Sequence, residues 1–419
     1  SGEDLSSTTG IIVWGRSTVR SPVITMVGRG GRSTATNEFK KSGNYLNDGI
    51  YLENSTISSK PIDQNFTTSV KKFPIVLKGY GGEISVEDGT MFDGGDLNSG
   101  VVLWNTKFIG GGSSKIKGYA GMPPKGNLNT GIEIGDQSRL TFFDDYTSNQ
   151  TVSIFGKAYS GNDGNTAVKF VDSVLRSPSS NLNINGDGAE DSTGTLNQGV
   201  RFINTSLNVG DSDNDDVNDL FITGRGGRGK KGNSGVYIKS IGKSMLFEVS
   251  GSIYIEGTIR EKKWRKHPSV FLNNIFLSAG EDLFVEADQS VELYSSSLDA
   301  GRDLFVQANS IQIQDSSLEA VGEISLQSEN LSVESSQLRQ GAPNPQSDDV
   351  QSEDSSRSGM PASQSLRSLS VGEIEQIVLD QETTTMNQLS QDLGLPSVQP
   401  MGLKDIQHML RLSIKNNLD

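Results

Sequence analysis

The sequence predicts an all-β fold, a right-handed parallel β-helix, followed by a disordered linker and a short α-helical tail. Three observations carry this. One two-part motif returns six times across residues 22–240, and a cleaner 20-residue period follows from about residue 270 to 340. The composition is that of a thin core with many turns: 48 Gly, 12 Pro and only 33% hydrophobic residues in a chain of 419. A chain this long exceeds one compact core, so it needs several domains or one repetitive stack, and the repeats favour the stack.

The first half of the motif is a short strand ending in glycine, at Gly28, Gly79, Gly118, Gly156, Gly186 and Gly224. Residues such as Leu182 and Ile184 alternate with polar ones, which sends one strand face inward. A Gly-rich loop follows. The second half is Asn, any residue, then Gly or Ala, leading into a β-branched strand: Asn47, Asn98, Asn129, Asn165, Asn197 and Asn233 each open one. Asparagine at one recurring position predicts an internal amide ladder, with each side chain bonding to its neighbours along the stacking direction. The first-half glycines lie 30 to 51 residues apart. Two coils of roughly 19 residues per unit are expected from that spacing.

In the second repeat, Ala279–Ala287 returns as Ala300–Ala308. Val291, Ile311 and Leu331 then recur every 20 residues, as do Leu293, Ile313 and Val333, and Leu298, Leu318 and Leu338. One coil per 20 residues follows. With roughly 15 coils in all, stacked at about 4.8 Å, the stack is expected to run on the order of 70 Å. After Leu338 the apolar pattern stops, and residues 341–369 read as a disordered linker rich in Ser, Gln, Asp and Pro. Ser370 and Glu373 form a capping box. Helical spacing follows in Val371, Ile374, Ile377 and Val378, then in Leu403, Ile406, Met409 and Leu410. The expected organisation is a β-helix with Gly-rich loops (1–270), regular coils (271–340), a linker (341–369) and a helical tail (370–419).

Charge and special residues narrow the function. Acidic residues outnumber basic ones, 51 to 37, for a net charge of −14, which argues against general nucleic-acid binding. Cysteine is absent, which removes disulfides, thiolate metal sites and cysteine nucleophiles together. No apolar run approaches the roughly 20 residues of a membrane span. The start at Ser1-Gly2-Glu3, without Met or a signal peptide, reads as a fragment or processed product.

Strand-Gly-x-Gly-Gly loops paired with Asn-x-Gly-Val strands resemble the filamentous-haemagglutinin-like exoproteins of Gram-negative bacteria, cyanobacterial ones in particular, over residues 10–340. The tail, from Gln381-Glu382-Thr383-Thr384 through Leu393-Gly394-Leu395 to the stretch Leu403–Leu410, resembles the segment preceding a CHAT domain in such proteins. That family implies secretion through an outer-membrane two-partner transporter, display outside the cell and adhesive function. A caspase-like His/Cys protease domain, if the resemblance extends that far, would begin beyond Asp419.

Candidate sites are few. Gly224–Lys231 contains Gly-x-Gly-x-x-Gly and approaches a P-loop. It lacks the Ser or Thr after its lysine and the following helix, so it reads as a repeat turn, as does Gly28-Arg29-Gly30-Gly31. Asp211, Asp213, Asp215 and Asp219 place carboxylates as a calcium ion prefers them. The loop departs from an EF-hand at Asp216, where Gly belongs, and at Ile222, where a bidentate Glu belongs. Weak calcium binding is the expectation there, against a solvated acidic loop, and no other cofactor is expected. Arg260, Lys262, Lys263, Trp264, Arg265 and Lys266 form a basic run with one aromatic, suited to an acidic glycan or to a solvated loop. Many β-helices cleave polysaccharides with clustered carboxylates. Here Glu133, Asp144, Asp145, Asp187 and Glu190 are scattered, and the histidines are His267 and His408. The sequence therefore points to a non-catalytic stalk or adhesin with a surface glycan as partner. A carbohydrate-active enzyme is the rival, and the stalk of a CHAT protease is a further alternative.

Overall fold

In a computed structural model the chain divides into two units, residues 1–346 and 347–419. The described residues are 9–34, 47–60, 73–85, 98–121, 128–143, 150–159, 163–189, 194–210, 217–228, 232–242, 244–260 and 268–341. The predicted linker beyond Gly341 and the predicted helical tail lie outside them. Among the described residues the fold is a parallel β-helix. Three long parallel sheets, here A, B and C, hold 11, 11 and 10 strands. Sheet A runs from Ile11–Val13 to Asn330–Glu334, sheet B from Thr18–Arg20 to Gln337–Gln340, and sheet C from Ile24–Arg29 to Ile324–Gln327. A two-stranded sheet joins Arg32–Thr34 to Glu83–Ser85.

Every pairing is one coil on the next. Gly28, Gly79, Gly118, Gly156, Gly186 and Gly224 are direct register partners down sheet C. One motif unit is therefore one coil, not the two expected, and the described residues make 11 coils, not 15, the last of them described through its sheet A and sheet B strands. The extra residues of the early units go into corner loops. From residue 270 onward, where those loops disappear, the 20-residue coil holds as expected: Val291 pairs with Ile311 and Ile311 with Leu331.

Period-2 alternation makes the core. The strand Asn181–Asp187 alternates buried Leu182, Ile184 and Gly186 with more exposed positions, and inward residues of successive coils form one continuous cluster from Ile24 to Ala320. Like side chains stack on like: the rings of Phe170 and Phe202 lie 4.6 Å apart and nearly parallel, and Phe247 meets Phe202 edge-on at 5.1 Å.

The three corners turn by different means. From sheet A to sheet B the chain uses a residue in the left-handed region, among them Asn54 (φ 49°), Asn105 (φ 45°), Asp172 (φ 48°), Asn204 (φ 47°) and Asp315 (φ 50°). Asn and Asp tolerate that conformation best among side-chain-bearing residues. A buried hydroxyl follows. Its oxygen accepts the N–H of its counterpart one coil earlier, as Ser138 does from Thr106 and Ser316 from Ser296, both at 3.1 Å. From sheet B to sheet C the polarity reverses, and each side chain accepts the N–H of the following coil. Asn181 accepts from Asp219 (2.8 Å), Asp219 from Ser252 (2.8 Å), Ser252 from Asp282 (3.3 Å), Asp282 from Asp303 (3.1 Å) and Asp303 from Glu323 (2.7 Å).

Candidate ligand-binding corner

The corner from sheet C to sheet A carries an insertion in each of the first seven coils, whereas the sheet B to C corner is lengthened at residues 59–74, 144–150 and 210–219. The strand of sheet C ends in glycine because the returning chain lies against it: a Cβ at Gly79, Gly118 or Gly186 would sit inside the carbonyl oxygen of Gly100, Gly131 or Gly199. Beside this glycine spine runs the predicted asparagine ladder, fully buried. The Oδ1 atoms of Asn98, Asn129, Asn165, Asn197 and Asn233 accept the backbone N–H of Asn47, Asn98, Asn129, Asn165 and Asn197, at 2.8–3.2 Å. Asn165 and Asn197 also bond amide to amide, at 3.0 Å. The ladder is therefore mainly side chain to backbone, because the amide oxygen satisfies an N–H left open at the turn.

Spine and ladder let the chain depart and return at one place. Residues 120–131, 158–167, 188–199, 227–235 and 260–269 all bridge this corner. In the last coils Ala287 replaces the spine glycine, and residues 288–289, 308–309 and 328–329 suffice.

Where the long loops give way to short ones, Arg225, Arg228, Thr258, Ile259, Arg260 and Asp288 line a shallow cleft of about 350 Å³. Arg225 belongs to the strand Leu220–Gly226 and is the register partner of Thr258, so Gly224-Arg225-Gly226 ends a strand where a repeat turn was expected, and among the described residues no helix follows it. The Arg260 guanidinium is mostly buried and ion-paired to Asp187, which also meets Lys157 Nζ at 3.5 Å. Both Asp288 carboxylate oxygens accept the Ile259 N–H at 3.2 Å, and Oδ1 accepts the Ser269 hydroxyl at 2.5 Å. Both carboxylates thus serve the fold. The Arg225 and Arg228 side chains are exposed. Two exposed guanidinium forks beside a third, anchored one suit a carboxylate, sulfate or phosphate. The backbone N–H of Gly227 bonds the Asn197 carbonyl at 2.8 Å. Next to Asn197, Gln198 is wholly buried with neither its amide nitrogen nor its amide oxygen bonded.

The other sequence-derived sites fall as follows. Asp219 sits in the sheet B to C ladder, and Asp211, Asp213 and Asp215 lie outside the described residues. Among the described residues no three His, Asp or Glu side chains converge as a metal site requires. Of the basic run, Arg260 anchors the cleft, while Lys262, Lys263, Trp264, Arg265 and Lys266 lie outside the described residues, as do His267, His408, Asp144, Asp145 and Glu190. Glu133 pairs with Lys169 at 2.9 Å, its register partner on the outer face of sheet A. Next in that column, Arg201 lies 5.7 Å over the Tyr237 ring, and burial pushes the Tyr237 phenol above its ordinary pKa. No helix among the described residues is long and apolar enough to cross a membrane. Sequence reading missed the hydroxyl column, although Asn54-Ser55, Asn105-Thr106, Asp172-Ser173, Asn204-Thr205 and Asp315-Ser316 mark it in each coil. It also missed Arg225 and Arg228 as partners of Arg260, since only the coil register brings them together. No protein-family model, curated protein or solved structure matches the chain.

Proposed function

We propose that the chain is a non-catalytic, surface-displayed β-helical stalk that presents corner loops to an external ligand bearing anionic groups. The observation that carries this reading is the recurrence of an insertion at one corner in seven successive coils, over a glycine spine that continues to Gly257 and an asparagine ladder that continues to Asn233, with the Arg225–Arg228–Arg260 cleft at the same corner. A buried scaffold repeated coil after coil supplies rigidity, and loops on one edge supply recognition without disturbing it. Export and an adhesive role belong to the same proposal, through the resemblance to filamentous-haemagglutinin-like exoproteins. The carboxylates that a polysaccharide-cleaving site would need are, at Glu133, Asp187 and Asp288, already committed to ion pairs or backbone bonds. The test is a panel of uronic-acid polymers and glycans offered to the whole chain. Binding without shortening of any polymer is expected, and short acidic glycans should lose affinity in Arg225→Ala/Arg228→Ala. Depolymerisation by the purified chain would overturn the non-catalytic reading.

A further inference from the structure

The outward face of sheet C is polarised along the stack. In its first four strands, Ile24–Arg29, Ile75–Tyr80, Lys115–Tyr119 and Thr151–Lys157, the outward positions hold Arg29, Lys78, Lys115, Lys117 and Lys157 and no carboxylate. This stands out in a chain of net charge −14. Lys78 and Lys117 are direct register partners. Two like charges one strand spacing apart, about 4.8 Å, destabilise a sheet unless an anion lies between them. No carboxylate among the described residues does so, and the acid bordering the face is Asp187, paired to Lys157 at 3.5 Å.

The aromatic residues of the face select among polyanions. Tyr80 and Tyr119 stack on each other at 5.0 Å and 11°, Arg29 and Lys78 each lie 5.1 Å from the Tyr80 ring centre, and Phe155 closes on Tyr119 at 6.0 Å. Ring faces that a nucleic-acid base would need for stacking are therefore occupied within the protein. What remains toward solvent is ammonium and guanidinium groups with phenol edges. That set matches a polymer carrying carboxylates or sulfates among hydroxyls.

We propose that this face binds an extended anionic polysaccharide laid across the strands, its anionic groups following the strand spacing. The face ends at Lys157, two strands before Arg225 in the same column of sheet C, with Asp187 between them, and the inference holds whether or not the Arg225 cleft binds. The experiment titrates the whole chain with polygalacturonate, with neutral dextran and single-stranded oligo-dT as comparators, at low and physiological salt. Polygalacturonate alone should bind, more weakly as salt rises. K78Q/K117Q and, separately, K115E should weaken it by roughly tenfold, without lowering the thermal midpoint, since each removes positive charge from a crowded face. R225A/R228A should leave this binding in place. No binding to polygalacturonate, a preference for oligo-dT, or loss in R225A/R228A with retention in K78Q/K117Q and K115E would each overturn the assignment.

Discussion

At the scale of single residues, most buried polar groups in this fold serve the coil above or below them, and Asp282 shows what that means for pH. Its carboxylate accepts the Asp303 N–H at 3.1 Å and a two-pronged contact from Arg302, through Nε at 2.7 Å and through Nη2. The Arg302 hydrogen bonds hold the Asp282 pKa below its ordinary value. A depressed carboxylate stabilises the fold fully above its unfolded pKa, and that contribution fades as pH falls through the folded value. Asp299 behaves oppositely. Burial, and then Glu319 directly across in register, raise its pKa. Its charge opposes folding at neutral pH, and the penalty disappears as pH falls through the raised value. Urea denaturation should therefore show Asp282→Asn losing about 1–2 kcal/mol at pH 7, a figure kept small because Arg302 is largely exposed, and losing progressively less as pH falls through the lowered value. Asp299→Asn should gain stability at pH 7 and converge on the parent in acid. Equal pH dependence in both variants would remove the assigned roles.

At the scale of the element, the spine glycines explain why the two repeats of the sequence look different. A Cβ on Gly186 would strike the Gly199 carbonyl and the Val200 side chain, both parts of the returning strand. The equivalent residue two coils further on is Gly257, and the next is Ala287, after which the return is two residues long. Gly186→Ala should accordingly cost about 1–3 kcal/mol through forced backbone displacement, whereas Ala287→Gly should cost only about 0.5–1 kcal/mol from chain entropy and a lost methyl contact. Urea midpoints that rank the two variants in the reverse order would refute this account. The strands, their inward faces and the asparagine ladder were legible in sequence because a two-residue period and a repeated Asn-x-Gly are local signals. The number of coils was not. A unit of 38 residues reads equally well as two short coils or as one coil with a loop, and only the glycine-to-glycine register decides. The cleft was illegible for a related reason, since Arg228 and Arg260 are far apart in sequence and share a cleft only because the strands they follow, Leu220–Gly226 and Ile253–Ile259, are neighbours in sheet C.

At the scale of the whole stack, stability should be a nearest-neighbour property, since each coil bonds only to the coils before and after it. Middle coils have neighbours on both sides: Val200, Phe202, Leu220 and Ile222 are wholly buried. Among the described residues, the last coil has one neighbour. Its core positions Leu331, Val333 and Leu338 are 51%, 40% and 46% exposed, although each pairs in register with a coil whose counterparts Ile311, Ile313 and Leu318 are buried. Opening the strands Asn330–Glu334 and Gln337–Gln340 breaks one set of interstrand bonds and uncovers little further apolar surface. Opening Val200–Ile203 breaks two sets and uncovers the aromatic stack of Phe170, Phe202 and Phe247. Local opening free energy should therefore climb from the final coil inward and level off near the coils that hold Phe202. Hydrogen exchange followed by mass spectrometry reads this gradient directly. Strand amides of residues 330–340 should exchange first, those of the strands within 290–320 next, and those of Val200–Ile203, Leu220–Gly226, Val236–Lys239 and Ile253–Ile259 last. Protection as high in the last coil as around Phe202 would mean that the final core face is covered in solution, and the nearest-neighbour account would fail at that end.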